Sequence, residues 1–187
     1  MKLPLEWLRE HVATDLDDAA LADRLTATGT AVEHIVTRGI PVTDANRQGF
    51  RVGKVLTAEQ HPDADRLRVL SVDTGDDSPR QIVCGAPNVA AGQTVAVALP
   101  GAVMPGGQKL GKAKLRGVES LGMVLSESEL ELAESSEGIM VLDDLLAAGT
   151  SVLDVLPPPG TILELELTPN RGDCQGIYGI AREVHAI

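Results

Sequence analysis

The chain has 187 residues, with 16 lysines and arginines against 27 aspartates and glutamates, giving a net charge of −11. Aromatics make up 2% of it, namely Trp7, Phe50 and Tyr178. This balance excludes a generally basic nucleic-acid binder with aromatic stacking platforms, so any RNA contact must come from a local patch or from shape.

From Met1 to about Arg38 the pattern predicts two short helices and a strand. Pro4 suits a first helical turn, and Leu5, Leu8 and Val12 follow at helical spacing. Asp17 is placed to cap a second helix carrying Leu21 and Leu25, with Gly29 at its end, and Ala31 to Thr37 reads as extended. Gly39, Pro41, Asn46 and Gly49 mark a polar linker and a domain boundary.

Val52 to Gly75 reads as strand, turn, strand. Apolar, largely β-branched residues lie on either side of the polar, proline-broken run His61-Pro62-Asp63-Ala64-Asp65. Pro62 has no amide proton to give a strand ladder, and Asp63 and Asp65 favour a tight turn. Further short apolar runs follow at Gln81–Cys84, Thr94–Leu99, Lys109–Leu115, Gly122–Leu125 and Ile139–Leu142, separated by glycine and proline turns. Strands at this spacing predict a small barrel.

The one basic patch lies between Lys109 and Arg116. Read as a strand, it puts Lys112, Lys114 and Arg116 on one face and Ala113 and Leu115 on the other, with Gly111 at a bulge. Four cations in eight residues without an acid suit a phosphate backbone; a solvated edge strand that resists aggregation is the competing reading. Ser126 and Glu129 have capping-box spacing, which predicts a short helix after a strand ending at Leu125. Between residues 40 and 149 ten basic residues meet fifteen acidic ones, so the barrel too is acidic overall.

Leu156 to Gly160 forms a stiff, proline-rich connector. Leu163, Leu165 and Leu167 then alternate with Glu164 and Glu166, the period of a strand with one buried face. Asp173 is placed to cap a last helix carrying Ile177, Ile180, Val184 and Ile187; that helix has no closing signal, and the chain reads as cut from something longer.

No catalytic constellation emerges. Glu164, Glu166 and Asp173 lack a placed nucleophile or base, and there is no nucleotide-binding glycine loop. Cys84 and Cys174, and the scattered His11, His34, His61 and His185, predict neither a disulfide framework nor a metal site. No apolar run approaches a membrane span and Met1 to Trp7 lacks a signal core, which predicts a cytoplasmic protein without a membrane partner.

His61-Pro62-Asp63-Ala64-Asp65-Arg66-Leu67 followed by a strand resembles the opening of the tRNA-binding OB module. Together with Lys2 to Leu8 at the start, the phrases around Ala86–Gly92, Leu99–Gly107 and Ser120–Met123, and Glu166–Cys174 with Ile180–Val184 at the end, the order resembles the amino-terminal part of bacterial phenylalanyl-tRNA synthetase beta subunits. Leu125, Glu131, Gln175 and Gly176 depart from the usual residues of that family.

The resemblance implies a mixed α/β chain: a five-stranded OB-type β-barrel, residues 39–149, inserted into a small discontinuous α+β domain of residues 1–38 and 150–187. It implies a tRNA partner, with Lys109, Lys112, Lys114, Arg116, His61, Arg66 and Ser126 as candidate binding residues. For the longer protein it implies ATP and magnesium, and an alpha subunit in an assembly of two alpha and two beta subunits. Catalysis would lie outside this chain, which itself is expected to need no cofactor. A structural module with little RNA affinity and a free-standing tRNA-binding protein remain as other readings.

Overall fold

The computed structural model describes all 187 residues. It divides into two compact units, Met1–Arg38 with Pro159–Ile187, and Gly39–Pro158. The first segment opens with β1 (Lys2–Pro4), which runs into α1 (Leu5–Arg9) with Pro4 as its extended N-cap residue. Helix α2 (Asp18–Ala27) is capped by Asp17, whose carboxylate accepts from the Ala20 amide at 2.8 Å. Gly29, at φ 102°, lets the chain leave that helix and enter β2 (Ala31–Arg38).

The expected linker before the barrel is partly helical. Thr43 caps α3 (Asp44–Gly49) through its hydroxyl, and Asn46, polar enough to read as loop, is fully buried. Its side chain is used on backbone: Nδ2 donates to the carbonyls of Pro41 and Val103 at 2.8 and 2.9 Å, and Oδ1 accepts from the Val103 amide at 2.8 Å.

The barrel strands are β3 (Phe50–Gln60), β4 (Arg68–Asp73), β5 (Arg80–Cys84), β6 (Thr94–Ala98), β7 (Ala113–Leu115), β8 (Val118–Ser120) and β9 (Met123–Val124). Five of them form one antiparallel sheet in the order β5-β4-β3-β6-β9, and β7 pairs only with β8. Strand β3 serves both sides of the barrel: Phe50–Lys54 pair with β6 and Lys54–Gln60 with β4, with a register shift between Val55 and Thr57. Where β3 passes between the two neighbouring strands only hydrogen fits at position 53, because a Cβ on Gly53 would lie 2.7 Å from Val97 Cγ2 and 2.8 Å from Val72 Cγ1. The edge of β5 is closed by the chain leaving β8: the Leu121 amide donates to the Gln81 carbonyl at 2.8 Å, and the Val83 amide to Ser120 Oγ at 3.0 Å. This is an OB-type barrel.

Strand β6 is buried on both faces. Val95 and Val97 join Val55, Leu70, Val72 and Ile82 in the interior, while Ala96 and Ala98 pack with Phe50, Val52, Leu125 and Leu130 in a second cluster. The expected strand at Ile139–Leu142 is reduced to one bridge, Val95 with Val141. Thr150 to Asp154 stay with the barrel: the Val52 amide donates to the Thr150 carbonyl at 2.8 Å and Val152 is buried in the second cluster.

The chain returns as β10 (Gly160–Glu166), which fits between β1 and β2 to give an antiparallel sheet of order β1-β10-β2. Its alternation holds: Leu163 and Leu165 are buried with Leu5, Leu8, Leu21, Leu25 and Ile180. Helix α4 (Ile177–Ala186) starts from Gly176 without a side-chain cap. Asp173 lies earlier, in the 3-10 turn Gly172–Cys174, because its carboxylate is taken by Arg171 at 3.1 and 3.2 Å. No helix is long and apolar enough to cross a membrane.

Candidate nucleic-acid interface

The basic run does not form one strand. Only Ala113–Leu115 pair, with Lys114 opposite Glu119 and Leu115 opposite Val118. Arg116 at φ 47° and Gly117 at φ 91° make two successive left-handed residues between the strands, the pattern of a type I′ hairpin turn. The expectation that Lys112, Lys114 and Arg116 share a strand face is therefore corrected. Lys112 precedes the strand, Lys114 is on it, and Arg116 is at the hairpin tip. Lys109 bridges to Val103.

The second part of the interface is the turn joining β3 to β4. The Gln60 amide group donates to the carbonyls of Ala64 and Asp65, both at 3.0 Å, and so shapes the turn from inside. His61 is 3% exposed. Its Nδ1 accepts from the Asp63 amide at 3.1 Å, which leaves the proton of the neutral ring on Nε2, 3.1 Å from the Leu115 carbonyl. This bond ties the turn carrying Arg66 to the hairpin carrying Lys114 and Arg116.

Side-chain polar contacts separate the barrel's ten cations into two groups. Arg51 and Arg80 both hold Asp76, at 3.2 and 2.8 Å, Arg47 holds Asp154 at 2.9 Å, and Lys54 donates to the Asp144 carbonyl at 3.0 Å. Arg80 foremost, through its hydrogen bond, keeps the Asp76 carboxyl below its ordinary range. The remaining six, Arg66, Arg68, Lys109, Lys112, Lys114 and Arg116, are exposed and their side chains make neither an ion pair nor a hydrogen bond. Arg68, absent from the candidates drawn from sequence, opens β4 two residues after Arg66, which lies in the turn before it.

Ser126 belongs to different surroundings. Its amide and hydroxyl both donate to Glu129 Oε2, at 2.7 and 2.6 Å. The capping-box bonds thus form, but the chain makes turns there and no helix. Ser126 lines a cavity of about 310 Å³ with Cys84, Met123, Glu129, Ser136 and Glu137. Two glutamates make that cavity a poor place for phosphate, and burial pushes the Cys84 thiol above its usual range. The barrel's one aromatic, Phe50, is fully buried, so this unit exposes no stacking platform.

In the other unit, ligand atoms of Asp173, Cys174 and Glu183 lie within 4.8 Å of one another. The Arg171 guanidinium already fills the cation position among them, 2.9 Å from Glu183 and 2.7 Å from Cys174 Sγ. Its hydrogen bonds to Asp173 and then Glu183 raise its own pKa, and Asp173 is correspondingly held low.

Residues 50–151 match the family described as "Putative tRNA binding domain". The chain belongs to that family. Over all 187 residues it is 44% identical to the phenylalanine–tRNA ligase beta subunit of Bartonella henselae, and over 184 residues 47% identical to that of Nitratidesulfovibrio vulgaris. It spans 22% of the length of each of these relatives. Among solved structures, the C-terminal domain of Plasmodium vivax p43 aligns at 28% identity with a TM-score of 0.42, covering 58% of this chain and 61% of that one.

Proposed function

We propose that the barrel binds the phosphate backbone of tRNA through Lys109, Lys112, Lys114, Arg116 and Arg66, joined by Arg68. The observation that carries this reading is the grouping of the six exposed barrel cations whose side chains have no polar partner on the two segments tied by His61 and Leu115. Phosphate contacts fix position without reading sequence, so this binding is non-specific, and His61 and Ser126 act by shaping the fold because both are buried. Residues 39–149 form the tRNA-binding domain and 1–38 with 150–187 a discontinuous one. The bond from Val52 to Thr150 favours moving the junction a few residues towards Pro158.

In this reading the chain is the amino-terminal part of a cytoplasmic beta subunit of phenylalanine–tRNA ligase. The longer protein works with an alpha subunit, as two alpha and two beta, to charge tRNA with phenylalanine using ATP and magnesium. The chain itself contributes RNA binding and architecture without catalysis or a cofactor.

Titration of labelled tRNA at low and moderate salt tests the binding. Salt-sensitive affinity that is lost in the Lys112→Ala, Lys114→Ala, Arg116→Ala triple variant supports it, and no binding at low salt refutes it. That refutation would favour a purely architectural module, the reading to which the barrel's excess of acids and buried Phe50 point.

A further inference from the structure

Strand β7 is weakly held. All three of its residues are exposed, and an isolated two-stranded hairpin is marginal in water. Its partner β8 is anchored to β5: Gln81 Nε2 donates to the Glu119 carbonyl at 2.8 Å, and Ser120 Oγ accepts from the Val83 amide. On the β7 side, residues 111–117 make one hydrogen bond to anything other than β8, the one between His61 Nε2 and the Leu115 carbonyl.

We infer that His61 is a positioning residue for RNA binding: its Nε2–H holds the Leu115 carbonyl so that Lys112, Lys114 and Arg116 stand beside Arg66 as one charged surface. This rests on the proposed function. The ring suits the task because its two nitrogens have separate duties. Nδ1 is fixed by the Asp63 amide, which sets the ring's orientation and tautomer, and Nε2–H is left with one direction in which to donate. Burial of the ring keeps its donor from wandering to other partners, although the Leu115 carbonyl belongs to an exposed residue. Without it the β7 edge frays, the cations disperse, and each phosphate contact must then be made by a side chain on mobile backbone.

Two near-isosteric substitutions in the 187-residue chain separate the duties. His61→Gln keeps an amide N–H at the reach of Nε2 and loses the Nδ1 acceptor; His61→Asn keeps an acceptor for Asp63 and cannot reach Leu115. Affinity for a tRNA transcript at low salt is expected to fall about 5-fold in His61→Asn and in His61→Ala, the effect of one hydrogen bond, and to recover in His61→Gln. Hydrogen exchange of the amides from Leu115 to Val118 is expected to quicken in the Asn and Ala variants and not in Gln, while exchange in the β3–β6 pair stays the same in all.

The inference is overturned if His61→Asn binds tRNA as tightly as the unmodified chain, or if His61→Gln is as weak as His61→Ala. Were the unmodified chain not to bind tRNA at all, the functional reading would fall with its RNA consequence, and unchanged exchange in His61→Asn would separately overturn the tether.

Discussion

Asn46 meets Val103 as a neighbouring strand would, accepting from its amide at 2.8 Å and donating to its carbonyl at 2.9 Å across 57 residues of chain. Asn88 repeats the device on Ile139, with both distances at 2.9 Å. A primary amide offers the same donor and acceptor pair as a peptide group, so each asparagine acts as a single rung of ladder where no strand is present. Segments outside the five-stranded sheet are thereby fastened to one another.

Asn46→Ala is expected to destabilise the chain by about 2–4 kcal/mol, since it leaves the Val103 and Pro41 groups without a buried partner. Asn46→Asp should cost at least as much, because a carboxylate cannot donate to two carbonyls. Asn88→Ala, at an exposed residue, should cost less. Urea midpoints of the three variants check the order.

Charge in the hairpin is expected to show in salt dependence. Removing Lys112, Lys114 or Arg116 singly should weaken tRNA binding and lower the slope of log affinity against log salt by up to about 0.9 for each lost phosphate contact. Gly117→Ala changes no charge but puts a Cβ on a residue at φ 91°. It should weaken binding at unchanged slope, through strain of about 1–2 kcal/mol in the turn.

Acid should expose the Asp76 network. The Asp76 carboxyl is held below its unfolded value, so its stabilising contribution is complete above about pH 4 and is lost as pH falls through the folded value. Asp76→Asn is therefore expected to lower stability near pH 6 and to reduce its loss between pH 4 and pH 2. Thermal melts of both chains across that range test the sign.

Helix α4 begins against backbone. A Cβ on Gly179 would lie 1.8 Å from the Asp173 carbonyl oxygen, closer than any side chain tolerates. Gly179→Ala should force the helix away from the Gly172–Cys174 turn at a cost of more than about 3 kcal/mol. Faster hydrogen exchange across Ile177–Ala186, with the slow exchange of β3 and β6 kept, is the expected signature.

The features legible in the amino-acid order are those whose cause is local. Strand β10 was readable because Leu163 and Leu165 alternate with Glu164 and Glu166, and the start of α2 because Asp17 can cap it alone. The basic run was found but given the wrong geometry: an alternating pattern continues from Lys112 to Arg116, while the Arg116-Gly117 pair that turns the chain was outweighed. Helix α3 was missed because its residues are polar, and Asn46 is buried only through partners supplied by distant chain. Tertiary structure alone decided which cations are free of acids and what His61 does. Its partner is the Leu115 carbonyl, 54 residues away, and a backbone oxygen is the same in every residue, so no choice of amino acid at 115 announces that it will be bound.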